Sequence, residues 1–374
     1  MHIAINAWFW NRPDTGSGQY VRRLVEALTR VARDVRLTLV VPAGWSLDTP
    51  PGVGVEHALT TGSGDWAKLR FEQVGFPHTV SQIGADLAHV PYWAGPLSSP
   101  VPIIITIHDL IPLLLPAYRG NILARLYTGL VAASARGAAA ILTDSRAAGE
   151  DIARHLAITA DRIYPIPLAA GSEYTAQPNL VFDMAVSRKY NLPSEYVLYL
   201  GGYDVRKNVE NLIKAFTYVT TGYDIPLVLA GRLPGRPTAR FIDVHHYIHL
   251  MGMADRVQII GEVDEADKPA LYRLARTFVY PSRYEGFGLP VLEAMACGKP
   301  VVVSSAPALV ELVSDAAFTA DPDDARRLAG SILATLTDAR LAQELSQKAL
   351  ARAGEFSWER TAAMTLEVYQ QAAG

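Results

Sequence analysis

Residues 277–294 read TFVYPSRYEGFGLPVLEA, and this stretch decides the fold. The short run at its start is typical of a buried strand, the middle is a loop with two glycines, and Pro290 then suits the start of a helix. We expect Glu285 in the loop and Glu293 on the first turn of the helix. A buried carboxylate is costly unless donors surround it, so both acids are candidates for ligand contacts.

The same loop brings backbone N–H groups to the front of that helix. The two carboxylates would accept hydrogen bonds from hydroxyl groups at two points of an extended ligand, and the free N–H groups would face its phosphates. The residues that supply these N–H groups are Phe287, Gly288 and Leu289.

The order of strand, loop and helix repeats along the chain. Short apolar runs alternate with helical stretches, which predicts parallel sheets covered on both faces, with ligands bound beyond the carboxyl ends of the strands. The chain has 374 residues, too many for one ordinary core, so we predict an α/β protein with two doubly wound domains. The predicted strands are residues 2–7, 36–41, 87–90, 103–107, 140–143, 196–200, 226–230, 257–260, 277–280 and 300–303.

Composition and charge narrow the class of protein. Hydrophobic residues make up 50% of the chain and the formal net charge is −3, so no overall positive field would bind a nucleic acid or an anionic membrane. Cys297 is the only cysteine, which excludes an internal disulfide and permits a reducing compartment. No apolar run approaches the roughly 20 residues of a membrane span, and residues 1–6 read as a strand and not as a signal peptide. We expect a cytoplasmic protein with no nucleic-acid partner.

A second glycine-bearing loop follows the first strand of the second half. Its glycines, among them Gly202, let the backbone approach a ligand closely, and Asn208 can cap the next helix. Arg206 and Lys207 then lie beside a helix N-terminus, where three sources of positive potential suit a diphosphate. The alternative is a solvated pair of surface cations.

The first half carries two candidate positions. His108 follows the strand at residues 103–107, and the carboxyl end of a strand lies over the ligand crevice; the alternative is a structural histidine. Gly16 and Gly18 lie just before the first helix, predicted at residues 20–31, whose N-terminus suits an anion, although such glycines also occur in ordinary loops. A nicotinamide dinucleotide site is disfavoured, because residues 8–14 separate these glycines from the first strand.

Two clusters match metal sites by spacing alone. Asp321 and Asp323 have the acid-any-acid spacing of metal-dependent transferases, but acids before a helix are ordinary caps. His245 and His249 lie four residues apart, but the zinc-protease pattern needs glutamate directly after the first histidine, and residue 246 is histidine. We therefore expect no metal.

Taken in order, these residues resemble the retaining GT-B glycosyltransferases of glycosyltransferase family four, the group-one glycosyl transferases, and especially their bacterial mannosyltransferase-like branch. The likeness spans nearly the whole chain and is most specific over residues 281–303. One departure is Val310, where the family often has proline. The segments that carry the resemblance are Gly16 with Gly18, residues 107–112, 206–208, 284–298 and 356–358.

The resemblance implies a fold and a domain layout. Two Rossmann-like domains face each other across a cleft, and the last helix returns to the N-terminal domain. We expect residues 1–170 with 357–374 to form the acceptor-side domain, and residues 171–356 to bind the nucleotide-sugar donor. The connection lies within residues 163–179, which are rich in proline and glycine and lack helical periodicity, and Ser357 caps the last helix.

The resemblance also implies roles for site residues. Arg206 and Lys207 bind the donor diphosphate, and Glu293 takes the ribose hydroxyls. Glu285 holds the transferred sugar together with backbone of its loop, and His108 lies at the sugar from the opposite domain. The residues with a predicted role in catalysis are His108, Glu285, Arg206 and Lys207. The residues with a predicted role in donor binding are Gly16, Gly18, Gly202, Arg206, Lys207, Glu285, Phe287, Gly288, Leu289 and Glu293.

The implied activity is transfer of a hexose, of mannose or glucose type, from a nucleoside-diphosphate sugar to a saccharide or glycoconjugate acceptor with retention of anomeric configuration. The donor would be GDP-mannose or a UDP-sugar, with no cofactor or metal. The acceptor would be a saccharide or a lipid-linked saccharide, compatible with a weak peripheral membrane contact. The alternatives are a non-catalytic nucleotide-sugar-binding protein and a sugar-nucleotide epimerase or phosphorylase on the same fold. The residues do not distinguish UDP from GDP.

Aromatic residues follow two predicted strands of the first half. Aromatic faces suit the C–H faces of sugar rings, and a tryptophan keeps an N–H donor for a hydroxyl. We expect these residues to contact the acceptor at the rim of the cleft; the alternative is that they pack the domain core. They are Trp8, Trp10, Tyr92 and Trp93, with Phe9 between the first two.

Overall fold

The computed structural model describes residues 1–120 and 122–374, and both halves of the chain are built on parallel sheets. One unit comprises Met1–Leu168 with Ser357–Gly374, and the other comprises Ala169–Phe356. Every predicted strand is present, with its ends within one residue of the prediction. The predicted α/β class with doubly wound sheets is therefore confirmed.

The first unit has a seven-stranded sheet in the order β3-β2-β1-β4-β5-β6-β7. Its strands are β1 (His2–Asn6), β2 (Arg36–Pro42), β3 (Gly54–Ala58), β4 (Leu87–Val90), β5 (Ile103–Thr106), β6 (Ala140–Thr143) and β7 (Ile163–Pro165). Its helices, up to β7, are α1 (Gly16–Val31), α2 (Asp65–Arg70), α3 (Phe76–Gln82), α4 (Ile111–Leu114), α5 (Ile122–Arg136) and α6 (Arg146–Leu156). A π-helical turn, Phe71–Gly75, joins α2 to α3. The strand order reverses at β1 and β4, which pair directly in parallel and place their carboxyl ends at one edge.

The second unit has a six-stranded sheet in the order β10-β9-β8-β11-β12-β13. Its strands are β8 (Val197–Leu200), β9 (Leu227–Ala230), β10 (Val257–Gly261), β11 (Thr277–Tyr280), β12 (Val301–Ser304) and β13 (Phe318–Ala320). Its helices are α7 (Leu180–Lys189), α8 (Val209–Gly222), α9 (Val244–Leu250), α10 (Lys268–Leu274), α11 (Leu289–Ala296), α12 (Pro307–Val313), α13 (Ala325–Thr337) and α14 (Ala339–Ala353). The reversal lies between β8 and β11, the strands that precede the two glycine-bearing loops.

The last helix, α15 (Trp358–Ala373), belongs to the first unit. Ser357 caps it, because its hydroxyl oxygen accepts the N–H of Arg360 at 3.1 Å. The Tyr369 hydroxyl lies 2.6 Å from Nδ1 of the buried His89, and Glu359 pairs with Arg30 of α1 at 3.0 Å. Helix α15 thus packs against both the sheet and α1 of the first unit. Among the described residues, no helix is both long and apolar enough to cross a membrane.

Four details differ from the sequence-based expectation. Three short strands at or near sheet edges, β3, β7 and β13, were not predicted, and β7 lies inside the stretch expected to be an irregular connection. Helix α1 begins at Gly16 and not at Tyr20, because Thr15 caps it by accepting the N–H of Gly18. Strands with polar or half-exposed residues lack the continuous apolar run that identifies a buried strand, and this explains why they escape detection.

The expectation that Trp8 and Trp10 contact an acceptor is corrected by their burial. Trp8 is 1% exposed, and its ring centre lies 5.2 Å from that of Trp45 and 5.5 Å from that of Phe71. Trp10 is 2% exposed, and its indole N–H donates to the Asp48 carbonyl at 3.0 Å. Both rings pack the interior of the first unit, so neither presents a face to a ligand.

This burial predicts a large stability effect for Trp10→Ala. Truncating a packed tryptophan removes apolar burial and leaves a cavity, so we expect a loss of about 3–5 kcal/mol in the free energy of unfolding. Trp66→Ala is the matched control, because Trp66 is 76% exposed, and it should change stability by less than about 1 kcal/mol. Urea denaturation of both variants measures the difference. A Trp10→Ala protein as stable as the control would contradict the packing described.

Candidate active site

The site in the second unit begins at the carboxyl ends of β8 and β9, where two backbones nearly touch. The N–H of Gly201 donates to the Ala230 carbonyl at 3.0 Å. Gly231 has a φ of +143°, and a Cβ atom there would lie 1.9 Å from the Gly201 carbonyl oxygen. Only glycine fits position 231, which sequence reasoning did not single out. Glycines at both strand ends thus allow the two backbones to approach closely at this edge of the sheet.

The loop after β8 places two cations beside α8. Residues Val205–Lys207 form a single 3-10 turn, and Asn208 follows in the left-handed region with a φ of +58°. The Asn208 side chain does not cap α8, in contrast to the expectation. Its amide instead donates to the carbonyls of Pro281 at 3.1 Å and Pro322 at 2.6 Å. Asn208 therefore ties this loop to the loops that follow β11 and β13.

The carboxylate of Glu285 joins the two glycine-bearing loops. Its Oε1 atom lies 2.6 Å from Nη1 of Arg206 and 2.7 Å from Nζ of Lys207, and the three side chains are about nine-tenths buried. Lys207 also donates to the Tyr280 hydroxyl, and Arg206 Nη1 donates to the Tyr284 carbonyl at 2.9 Å. The structure thus brings together three of the four residues with a predicted role in catalysis, and it excludes the alternative of a solvated surface pair.

Burial and charge set the ionisation of this cluster. Burial alone would raise the pKa of Glu285, but Lys207 and Arg206 outweigh it and lower that pKa to about 2. Burial lowers the pKa of Lys207, while the Glu285 carboxylate partly opposes that shift. The carboxylate is therefore ionised at neutral pH. Arg206 also pairs with a second carboxylate, because its Nε atom lies 3.5 Å from Asp204 Oδ1.

The loop after β11 leads into α11 through a glycine that its neighbours require. Gly288 has a φ of +118°, and a Cβ atom there would lie 2.6 Å from a methyl group of Leu309. Gly288 is the N-cap residue of α11 and has no side chain to satisfy the first N–H groups of the helix. Those N–H groups and the dipole of α11 give this end of the helix a preference for an anion.

Glu293 lies on the second turn of α11 and not on the first, because the helix begins at Leu289. Its carboxylate is buried and accepts a hydrogen bond from the Tyr272 hydroxyl at 2.9 Å. Burial raises the pKa of Glu293 to about 7, and the Lys268 ammonium only partly offsets this. The acid thus belongs to a separate cluster with Tyr272, and no contact given by the described residues joins it to Glu285.

The site in the first unit is built on a histidine–aspartate pair. The Nδ1 atom of His108 donates to Asp144 Oδ2 at 2.8 Å, and Tyr20 packs edge-on against the imidazole with ring centres 4.7 Å apart. Burial would lower the pKa of His108, but the Asp144 carboxylate raises it above its usual value. The Nε2 atom of His108 is buried and has no partner among the described residues.

His108 opens into a pocket of about 440 Å³. Tyr92 and Trp93, two of the residues expected to contact the acceptor, line this pocket together with Phe9. The Trp93 indole N–H is buried without a partner in the described chain, like His108 Nε2. Two unsatisfied polar atoms facing aromatic rings are suited to a ligand with hydroxyl groups.

Lys68 is a pocket residue that sequence reasoning missed. Its ammonium donates to the Tyr127 hydroxyl at 2.8 Å and lies 2.9 Å from Oε1 of the fully buried Glu72. The same ammonium lies 5.1 Å from the ring centre of Tyr92 and 5.6 Å from that of Phe9. Burial raises the pKa of Glu72 even though Lys68 opposes the shift. The local sequence shows only that Lys68 and Glu72 are four residues apart, which is an ordinary spacing for a helix pair. The other partners, Tyr127, Tyr92 and Phe9, come from distant segments.

Asp144 was also missed, although a signal for it exists. It follows β6 directly, and β6 pairs with β5, which leads to His108. The rule that placed His108 at a ligand site, namely that parallel strands end at a common edge, applies equally to Asp144.

The glycines at the start of α1 have different functions. A Cβ atom on Gly18 would lie 2.0 Å from the Arg12 carbonyl oxygen, so this glycine is required by packing. Its N–H donates to Thr15 Oγ1 at 3.2 Å and is therefore occupied. Gly16 has open space where a side chain would be, and Ser17 lines the pocket of His108. Gly16 and Ser17, rather than Gly18, present the accessible start of the helix.

Of the two clusters that match metal sites by spacing, the acidic one has structural partners. Asp323 pairs with Arg283, its N–H donates to Asp321 Oδ1 at 2.8 Å, and Asp324 caps α13. His245 and His249 lie on the short helix α9. Within residues 1–120 and 122–374, no group of three or more His, Cys, Asp or Glu side chains is placed to hold a metal ion.

Comparison with known proteins agrees with this two-unit arrangement. Residues 185–352 match the family described as glycosyl transferases group 1, and residues 15–170 match glycosyltransferase family 4. The chain is 35% identical over 271 residues to O-antigen chain mannosyltransferase B of Escherichia coli, covering 71% of this chain and 70% of that protein. It is 34% identical over 273 residues to the serotype-specific mannosyltransferase WbdA of Escherichia coli, but spans only 32% of that longer protein.

Solved structures share the fold over almost the whole chain. Sucrose-phosphate synthase from Thermosynechococcus elongatus has a TM-score of 0.78 at 21% identity, with 99% of this chain and 98% of that one covered. WaaG, a glycosyltransferase involved in lipopolysaccharide biosynthesis, has a TM-score of 0.73 at 16% identity, with 98% and 99% covered. The fold is therefore that of the GT-B glycosyltransferases. The chain belongs to the group 1 glycosyl transferases of glycosyltransferase family 4, and it is a glycosyltransferase.

The unusual pKa of Glu293 predicts a pH dependence of stability. Because the folded pKa of about 7 exceeds the ordinary value of 4.5, the native state retains a proton that the unfolded state has released between these pH values. The contribution of Glu293 to the free energy of unfolding is therefore largest below about pH 4.5. It falls by about 3 kcal/mol as the pH rises to 7.

Glu293→Gln should remove this decline, whereas Glu344→Gln, at an exposed carboxylate, should keep it. Urea denaturation at several pH values between about 4.5 and 7.5 measures the slope for each protein. A decline that survives unchanged in Glu293→Gln would show that another group causes it.

Proposed function

We propose that this glycosyltransferase transfers a mannosyl group from a nucleoside-diphosphate mannose to a saccharide acceptor, with retention of anomeric configuration and without a metal ion. The observation that carries the proposal is the buried Glu285 carboxylate held between Arg206 and Lys207. The choice of mannose is supported by the relatives that are named mannosyltransferases.

The cationic pair suits the diphosphate of the donor. Glycosyl transfer passes through an oxocarbenium-like state while negative charge grows on the leaving diphosphate. Arg206 and Lys207 follow each other on the loop after β8, and Nη1 of Arg206 and Nζ of Lys207 both lie within 2.7 Å of the same Glu285 oxygen. Preorganised cations in a buried site stabilise such charge effectively, so the proposal assigns the role of a metal ion to these two residues.

Glu285 positions the two cations and faces the transferred sugar in this proposal. Its carboxylate has four lone-pair sites, and the contacts with Arg206 and Lys207 both fall on Oε1. The second oxygen, Oε2, can therefore accept a sugar hydroxyl. Glu293, buried beside Tyr272, would accept the ribose hydroxyls, as the family resemblance implies.

His108 would contribute a hydrogen-bond donor to a sugar hydroxyl, as the family resemblance implies. Asp144 fixes the imidazole through Nδ1 and favours its charged form, which leaves Nε2–H as a donor to a hydroxyl. The pocket around His108 would bind the acceptor saccharide against Trp93 and Phe9. With retention, the departing phosphate takes the acceptor proton on the front side of the sugar, so no second carboxylate on the far face is needed.

The proposal is tested by product analysis. Purified protein is incubated with GDP-mannose or UDP-mannose and methyl α-mannoside in excess EDTA, and the product is examined by mass spectrometry and proton NMR. We expect a disaccharide with an α-configured new linkage from one of the two donors. A β-linkage would overturn retention, and activity that vanishes with EDTA and returns with Mg²⁺ would overturn metal independence.

Two variants tie the activity to the site. Lys207→Met should lower turnover at least about 100-fold, as expected when charge stabilisation of a leaving group is lost. Lys214→Met, at an exposed lysine on the adjacent helix, should leave turnover unchanged. Donor binding without any transfer to a panel of saccharides would instead favour a non-catalytic nucleotide-sugar-binding protein.

A further inference from the structure

An apolar groove adjoins the pocket of His108 within the first unit. It has a volume of about 810 Å³ and runs between α2 and α5. Leu69 and Leu130 line it together with three strongly exposed side chains: Trp66 at 76%, Leu123 at 63% and Leu126 at 65%. Single exposed apolar residues are common on proteins, but a contiguous set that lines one groove marks a binding surface.

The groove and the pocket share one wall. Lys68, Ala124 and Tyr127 line both cavities, so the two form a continuous path from the polar atoms of His108 and Trp93 to the leucines of α5. Lys68 is held in place by Glu72 and Tyr127, which leaves the third proton of its ammonium for a ligand at the junction. Arg119 lines the pocket and is exposed.

We propose that the acceptor is a lipid-linked saccharide whose hydrocarbon chain lies in this groove. The proposal rests on the proposed function, because it takes the pocket of His108 as the site of the acceptor sugar. The polar pocket binds the saccharide, the cations Lys68 and Arg119 bind an anionic phosphate linker, and Trp66, Leu123 and Leu126 cover the chain. A neutral, free saccharide would leave the groove empty and its apolar surface in water.

The contact between the hydrocarbon chain and the groove is tested by comparing methyl α-mannoside with octyl α-mannoside, the latter below its critical micelle concentration. Titration calorimetry measures binding, and initial rates measure KM. We expect the octyl compound to bind at least about tenfold more tightly, because burying each methylene from water is favourable. Leu123→Gln/Leu126→Gln should abolish this advantage while leaving the affinity for methyl α-mannoside unchanged.

Leu180→Gln/Val181→Gln is the matched control, because both residues are exposed and lie in the second unit. It should keep the full advantage of the octyl chain. Equal affinity of the two mannosides in the wild type, or equal losses in both double variants, would overturn the proposal. If the protein transferred no mannose but still bound the octyl mannoside more tightly than the methyl mannoside, the proposed function would be overturned. The assignment of the groove to a hydrocarbon chain would remain.

The binding of an anionic linker is tested by comparing the KM of decyl mannosyl phosphate, a phosphodiester, with the KM of the neutral decyl α-mannoside. The phosphodiester should have the lower KM. Equal KM values in the wild type would overturn the anionic linker. The alternative occupant of the groove is a membrane surface. In that case the protein would bind phosphatidylglycerol vesicles, and Leu123→Gln/Leu126→Gln would lose this binding. Vesicle binding of this kind, together with equal affinities for the methyl and octyl mannosides in solution, would overturn the proposal.

Discussion

The constraint on which the donor site depends is the need to pair one buried carboxylate. Glu285 is ionised inside the second unit, and the adjacent cations Lys207 and Arg206 compensate the buried charge. Removing one partner of a buried ion pair typically costs about 3–5 kcal/mol. The pair therefore fixes the loop after β8 against the loop after β11, and the Arg283 N–H reinforces the contact by donating to the Arg206 carbonyl at 2.8 Å. The geometry that holds the protein together here also preorganises cations for a diphosphate.

The site residues that could be predicted from the sequence are those that follow the ends of strands. Continuous apolar runs identified the strands, and the strand ends marked Arg206, Lys207 and Glu285 as ligand candidates. The family resemblance then assigned all three to the donor before any contact was known. Contacts between side chains from distant segments could not be derived in this way. The Lys68–Glu72–Tyr127 cluster depends on a π-helical turn and on the placement of α5, and no local pattern encodes either.

The aromatic residues show where pattern alone is ambiguous. A tryptophan after a strand can lie at a binding rim or fill the core, and both outcomes occur within this one unit. Trp8 and Trp10 are buried in the core, whereas Trp93 lines the pocket of His108. Depth of packing decides between the two, and depth is a property of the assembled sheet and helices. The sequence pattern is ambiguous in the same way for Asn208. Its side-chain amide donates hydrogen bonds to two carbonyls that are distant in the sequence and does not cap its own helix.

The most direct test of the account is a crystal structure of the protein with GDP or UDP bound. The diphosphate oxygens are expected within about 3 Å of the Arg206 guanidinium and of Lys207 Nζ, in front of the Gly288 end of α11. Glu285 is expected to keep its contact with both cations. A diphosphate bound elsewhere in the chain, with Arg206 and Lys207 paired only to Glu285, would contradict the central claim.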